Sequence, residues 1–139
     1  MKRIVLDTNV IVAAGRSRQG ASHALLRLLA EEAYRPVLSV PLVLEYEMAL
    51  RRRTELDQAT AVAIVDFLCL AGERQPIYYL WRPFLKDPGD EMVLEVAVGA
   101  AADAVVTHNV RDFEGVEENF GIRVITPREF LAELKETDP

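Results

Sequence analysis

The chain has 139 residues, half of them apolar and 27% charged, with seven glycines, seven prolines and a net charge of −6. That length and composition describe one globular domain over residues 1–139 and exclude a disordered or fibrous chain. No apolar run approaches the ~20 residues of a membrane span, and Met1-Lys2-Arg3-Ile4-Val5-Leu6-Asp7 reaches an acid too soon for a signal peptide, so a cytoplasmic protein with no membrane partner is expected.

Arg3 to Leu6 is short and β-branched and runs into a polar turn, which reads as a buried strand. Asp7-Thr8-Asn9 follows, ahead of a short helix over residues 10–14. Gly20-Ala21-Ser22 leads into a helix over residues 24–30, and residues 35–39 form a second apolar strand. Pro41 suits the first turn of a helix that runs to about Arg52. Residues 57–70 form another helix, paired with it as a hairpin. Residues 76–81 read as a short strand and 83–88 as a loop. Residues 89–102 are strongly helical, 104–107 a strand, and 108–113 a polar loop. Residues 121–125 and 127–135 read as strand then helix, with Thr126 as N-cap before Pro127. No repeat, linker or low-complexity stretch interrupts this order. Alternating strands and helices imply an α/β layered domain with a mainly parallel sheet, and such sheets carry their sites at the carboxyl ends of the strands.

Four acids stand where carboxylates are unwelcome, since desolvating one without a partner costs several kcal/mol or more. Asp7 ends the first strand, where it either caps a helix or faces a site. Glu45 interrupts the stripe of Pro41, Leu42, Met48 and Ala49, either as a ligand or as a boundary residue reaching water. Asp90 has the ordinary role of a helix N-terminal acid open to it, yet it aligns with Val93, Leu94, Ala97 and Ala101. Glu91 aligns with Glu95 and reads as solvated, Asp87 as a plain cap, and Glu47 as a surface ion-pair partner of Arg51. In the loop after the fourth strand, Thr107 could orient a bound water, and Asn109 or Asp112 could complete a ligand shell. A set built from oxygen donors suits Mg²⁺ or Mn²⁺. There is no paired His or Cys spacing for zinc, and Cys69 reads as a small buried hydrophobe. The acidic balance weighs against a broad basic nucleic-acid surface. Clustered acids lower the formal charge themselves, however, and bound divalent ions reverse it locally.

Taken in order, Leu6-Asp7-Thr8-Asn9-Val10, Ser39 through Glu45, Asp87-Pro88-Gly89-Asp90-Glu91, and Ala102-Asp103-Ala104-Val105-Val106-Thr107-His108-Asn109-Val110-Arg111-Asp112-Phe113 resemble the PIN-domain nucleases, in particular the VapC-like toxins of toxin–antitoxin pairs. The resemblance covers nearly the whole chain. It implies a three-layer α/β/α sandwich around a central, mainly parallel sheet, and a Mg²⁺- or Mn²⁺-dependent endoribonuclease. It carries Asp7, Glu45 and Asp90 over as metal-binding, catalytic acids. At the fourth position the family places an acid where either Asn109 or Asp112 stands; this chain keeps Asp112, with Asn9, Thr107 and Asn109 in support. His108 replaces the Arg or Gly frequent in that loop. The resemblance further implies an RNA substrate, a small cognate antitoxin and a homodimer or higher assembly. For the phosphates the candidates are Arg51, Arg52, Arg53, Arg82, Lys86 and Arg111, with the Arg run equally explicable as cations at a helix C-terminus. Tyr78, Tyr79 and Trp81 could stack on bases or pack in a core. A haloacid-dehalogenase-like phosphatase is an alternative, but Asn9 stands where its second Asp belongs. A catalytically weak PIN-like binding module is another.

Overall fold

The computed structural model describes residues 1–53, 55–77 and 83–137. Its elements are β1 (Arg3–Leu6), α1 (Thr8–Arg16), α2 (Ala21–Ala30), β2 (Arg35–Leu38), α3 (Val40–Arg51), α4 (Gln58–Ala71), β3 (Glu73–Arg74), α5 (Pro88–Ala100), β4 (Ala104–Val106), a 3₁₀ turn (Val110–Phe113), α6 (Val116–Phe120), β5 (Arg123–Ile125) and α7 (Pro127–Thr137). All strand pairs are parallel, in the order β3-β2-β1-β4-β5. Helices cover both faces, giving the expected three-layer α/β/α sandwich. This is why β1 and β4 are continuous apolar runs: Ile4, Val5, Leu6, Val105 and Val106 are all buried. The helix α5 lies across β1, β2 and β4, while α2 packs against α1 and α7.

The chain winds outward from β1 through β2 to β3, then returns to the other side of β1 to lay down β4 and β5. The reversal places a crevice beyond the carboxyl ends of β1 and β4, the position where open α/β sheets bind ligands. Leu6 pairs with Val106 in that register, so Asp7 and Thr107 are the first residues past the two strand ends.

Local chemistry sets the helix starts. Ser39 accepts the Leu42 amide at 3.1 Å, and Asp57 accepts that of Thr60 at 2.9 Å. Thr126 and Glu129 bond reciprocally, 3.0 and 3.2 Å, as a capping box. Two expectations are corrected and one helix is added. The third described strand is Glu73–Arg74, in register with Val37 and Leu38, and of the strand expected over residues 76–81 the described Pro76 and Ile77 are not part of one. Pro76 has no N–H to extend that ladder, and residues 78–81 lie outside the described part. A helix, α6, follows the expected loop; Gly115 and Gly121, at φ +87° and +68°, turn the chain into and out of it. Cys69 is exposed rather than buried, because α4 turns Leu68 inward and leaves Cys69 and Leu70 to solvent.

Candidate active site

A cleft of about 810 Å³ opens over the reversal point and is lined by Asp7, Asn9, Glu45, Asp87, Asp90, His108, Asn109 and Asp112. Arg16, Arg52 and Arg53 line it as well. Four separate elements therefore deliver acids to one cavity.

Asp7 is the innermost, 6% exposed. Its backbone amide donates to the Val106 carbonyl at 2.9 Å, which continues the β1–β4 ladder. One carboxylate oxygen caps α1 by accepting the Thr8 amide at 2.8 Å; the other accepts the Thr107 hydroxyl at 2.7 Å. Thr107 Oγ1 also accepts from Asn9 Nδ2 (3.3 Å) and from the Asn109 amide (3.0 Å), so its one donor and two acceptor sites are all used. Thr107 is fully buried and holds Asp7 from beneath, rather than lining the cleft. Asn9 Oδ1 in turn accepts the His108 amide at 3.2 Å, and the His108 ring meets the Ser22 hydroxyl at 2.9 Å.

Glu45 reaches the cleft through its neighbour. The buried Tyr46 phenol donates to the Leu6 carbonyl, tying α3 to the end of β1. Glu45 Oε1 lies 3.9 Å from where a Cβ on Gly89 would sit, close to the first turn of α5. That turn carries Asp90. Asp87 caps it by accepting the Gly89 amide at 2.7 Å, and also contributes an acid to the cleft.

Burial is the main cause that lifts the Asp90 carboxyl from its ordinary 3.8 to about 7, reinforced by the negative charges of Asp7, Asp87 and Asp112. Asp7 is also raised by burial, opposed by its bonds from Thr107 and Thr8 and assisted by Asp112 and Asp87. These carboxylates feel one another across the cleft. Among the described residues, however, no three His, Cys, Asp or Glu side chains are already drawn into a metal cage.

Of the expected cations, Arg52 and Arg53 line the cleft, whereas Arg51, Lys86 and Arg111 do not. Arg51 pairs with Glu47 at 3.0 Å, as its spacing suggested. Arg82 lies outside the described residues. Arg16 was not anticipated. It sits one turn beyond Val12 and Ala13, which line the same wall of α1, a spacing that could have revealed it. Glu91 corrects an expectation: it is 8% exposed, not solvated. Its carboxylate accepts the Phe84 amide at 2.8 Å and the Leu85 amide at 3.4 Å.

The family model described as the PIN domain matches residues 3–111. The chain belongs to the PIN domain family. The match spans Asp7, Glu45 and Asp90 and stops one residue before Asp112. A chain of the crystal structure of VapBC2 from Rickettsia felis bound to a DNA fragment from their promoter has the same fold, with TM-score 0.60 and 14% identity; the match covers 89% of this chain and 98% of that one. No curated protein matches significantly. PIN domains are generally nucleases that use divalent metals.

Proposed function

We propose that this PIN domain is a Mg²⁺- or Mn²⁺-dependent endoribonuclease and the toxin of a toxin–antitoxin pair. One observation carries the reading: Asp7, Glu45, Asp90 and Asp112 come from four different elements to one cleft, at the point where this sheet topology places ligands. Asp7 and Asp90, raised by burial and then by the acids beside them, are unfavourably placed without a cation, and the all-oxygen donor set has the chemistry Mg²⁺ and Mn²⁺ prefer. The residues present fit such an ion.

Asp7 and Asp90 are assigned as its principal ligands and Asp112 as the acid of a second site. Glu45 either completes the shell or takes the proton from the attacking water. When bound, a divalent ion polarises the scissile phosphate and lowers the pKa of a water. Thr107 keeps Asp7 oriented and favours its ionised form against the burial that raises its pKa. Asn9 joins the Asp7 turn to the His108–Asn109 backbone, which lines the same cavity. The substrate side is basic: Arg52 and Arg53, with Arg16, offer phosphates a cationic wall facing the acids. The acids required for catalysis are present, which disfavours a module that only binds. Asn9 stands where the phosphatase alternative needs its second Asp, and an amide cannot serve as that general acid.

We include a small antitoxin partner, in keeping with the VapBC2 complex that shares the fold, a homodimer, and a cytoplasmic setting. No helix among the described residues is long and apolar enough to cross a membrane. The deciding experiment is cleavage of a panel of tRNAs and structured RNAs with and without Mg²⁺ or Mn²⁺, with Asp90→Asn as control. Cleavage that survives chelation, or is unaffected by Asp90→Asn, rejects the reading.

A further inference from the structure

The acid-bearing turn of α5 is joined mechanically to the segment that carries Asp112. Glu91, one residue after Asp90, turns a buried carboxylate back onto the preceding loop and accepts the amides of Phe84 and Leu85. The Glu91 amide meanwhile donates to the Asp87 carbonyl at 2.9 Å. The loop is thus closed at both ends of the Asp87–Glu91 turn. Phe84, held in this way, places its ring edge-on against Phe120 of α6, with centroids 5.1 Å apart at 80°. It also lies over Gly115, where an added Cβ would come within 3.2 Å of Phe84 Cζ. Gly115 is three residues beyond Asp112, and its carbonyl is capped by the Asn119 side chain at 2.7 Å.

We infer that Glu91 and Phe84 form a buckle that positions Asp90 and Asp112 relative to each other. Glu91 is a positioning residue: it acts on the cleft through Phe84 and does not line it. A buried carboxyl that accepts two amides has its hydrogen-bonding needs met without a metal, so the clamp serves the protein whether or not an ion is bound. Phe84 remains 39% exposed, so its ring joins two segments more than it fills the core. The role in catalysis rests on the nuclease reading; the mechanical coupling does not.

The test separates the two. In the metal-free protein, amide exchange and chemical shifts are compared for wild type, Glu91→Ala and Phe84→Ala. Glu91→Ala is expected to expose the Phe84 and Leu85 amides and to shift the resonances of residues 112–120. Phe84→Ala, the milder change should Glu91→Ala fold poorly, is expected to shift residues 112–120 and leave β1 and β4 unchanged. Perturbation confined to residues 84–91 in both variants overturns the buckle. Mn²⁺ titration by calorimetry then reads the functional half. Each variant is expected to weaken Mn²⁺ binding about tenfold, the usual scale for removing a group that orients a ligand, and Glu91→Gln, which keeps the acceptor oxygen, to recover part of it. Unchanged Mn²⁺ affinity in a protein with shifted residues 112–120 overturns the positioning role. Wild type that binds no Mn²⁺ instead overturns the nuclease reading and leaves the exchange result standing.

Discussion

The Thr107 hydroxyl donates to Asp7 Oδ2 at 2.7 Å across the ends of two adjacent parallel strands. Both residues are buried, and the donor is satisfied by a carboxyl oxygen. Such a bond contributes about 1 kcal/mol to a neutral carboxyl and about 1.5–3 kcal/mol to an ionised one. Thr107→Val keeps the shape and removes the bond, together with the acceptor used by Asn9 and by the Asn109 amide. It is expected to lower stability at pH 7 by about 2 kcal/mol and to raise the Asp7 pKa further. Urea denaturation measures the first, and a loss below about 0.5 kcal/mol contradicts the assignment.

Asp90 predicts a pH dependence of the metal-free protein. Its folded-state pKa, about 7, stands above its ordinary 3.8. The unfolded chain therefore releases this proton first, and stability is full below the ordinary value and falls as pH rises through 7. Asp7 shifts in the same direction. Comparing urea midpoints at pH 5 and pH 8 for wild type and Asp90→Asn isolates the effect, since Asn does not titrate. Wild type should lose more stability than the variant over that interval; equal losses refute the shift.

Divalent ions should reverse that penalty. Mg²⁺ or Mn²⁺ at a hundredfold excess over its dissociation constant adds about 2.7 kcal/mol to the folded state, a rise of several degrees in melting temperature for a domain of this size. Asp7→Asn should remove most of the rise. Because the ion displaces a proton from Asp90, affinity should strengthen between pH 6 and 8. A melting temperature indifferent to both ions in wild type excludes a shared site.

The cationic wall distinguishes among arginines that are neighbours in sequence. Arg52 and Arg53 face the cleft, while Arg51 is engaged by Glu47. For single-stranded RNA, removing one cation that neutralises a phosphate reduces the slope of log K against log salt by about 0.7. Arg52→Ala and Arg53→Ala should each show such a reduction, and Arg51→Ala should not. Filter binding of catalytically blocked protein across a salt series reads this directly, and an equal effect from all three would place the RNA elsewhere.

Residues governed by their immediate neighbours were legible in the sequence. Pro41, and Thr126 before Pro127, announced helix starts, and the Ser39 cap and the capping box at Glu129 are built from that same local chemistry. The apolar runs ending on Asp7 and Thr107 located the strand ends, and the parallel-sheet rule put both at one crevice. What escaped depended on segments distant in sequence. Glu91 and Glu95 share a helical spacing, and nothing in that spacing records that a loop folds back onto only one of them. Cys69 lies in an apolar run whose inward phase is set by where α4 meets the sheet. Asp87 looked like a cap and is one; its second position, on the cleft wall, follows from how α3 and α5 converge.

The reversal between β1 and β4 also bears on when the protein becomes competent. Asp7 and Thr107 are separated by 100 positions and meet only because β4 inserts beside β1. A nascent chain that has emerged as far as α4 already displays Asp7 and Glu45, yet has neither Asp90 nor the strand that holds Asp7 in place. On the nuclease reading, the growing polypeptide is harmless to the RNA that surrounds it during translation. Competence arrives late, once the chain beyond Thr107 is free to fold, which leaves a partner protein an interval in which to meet it.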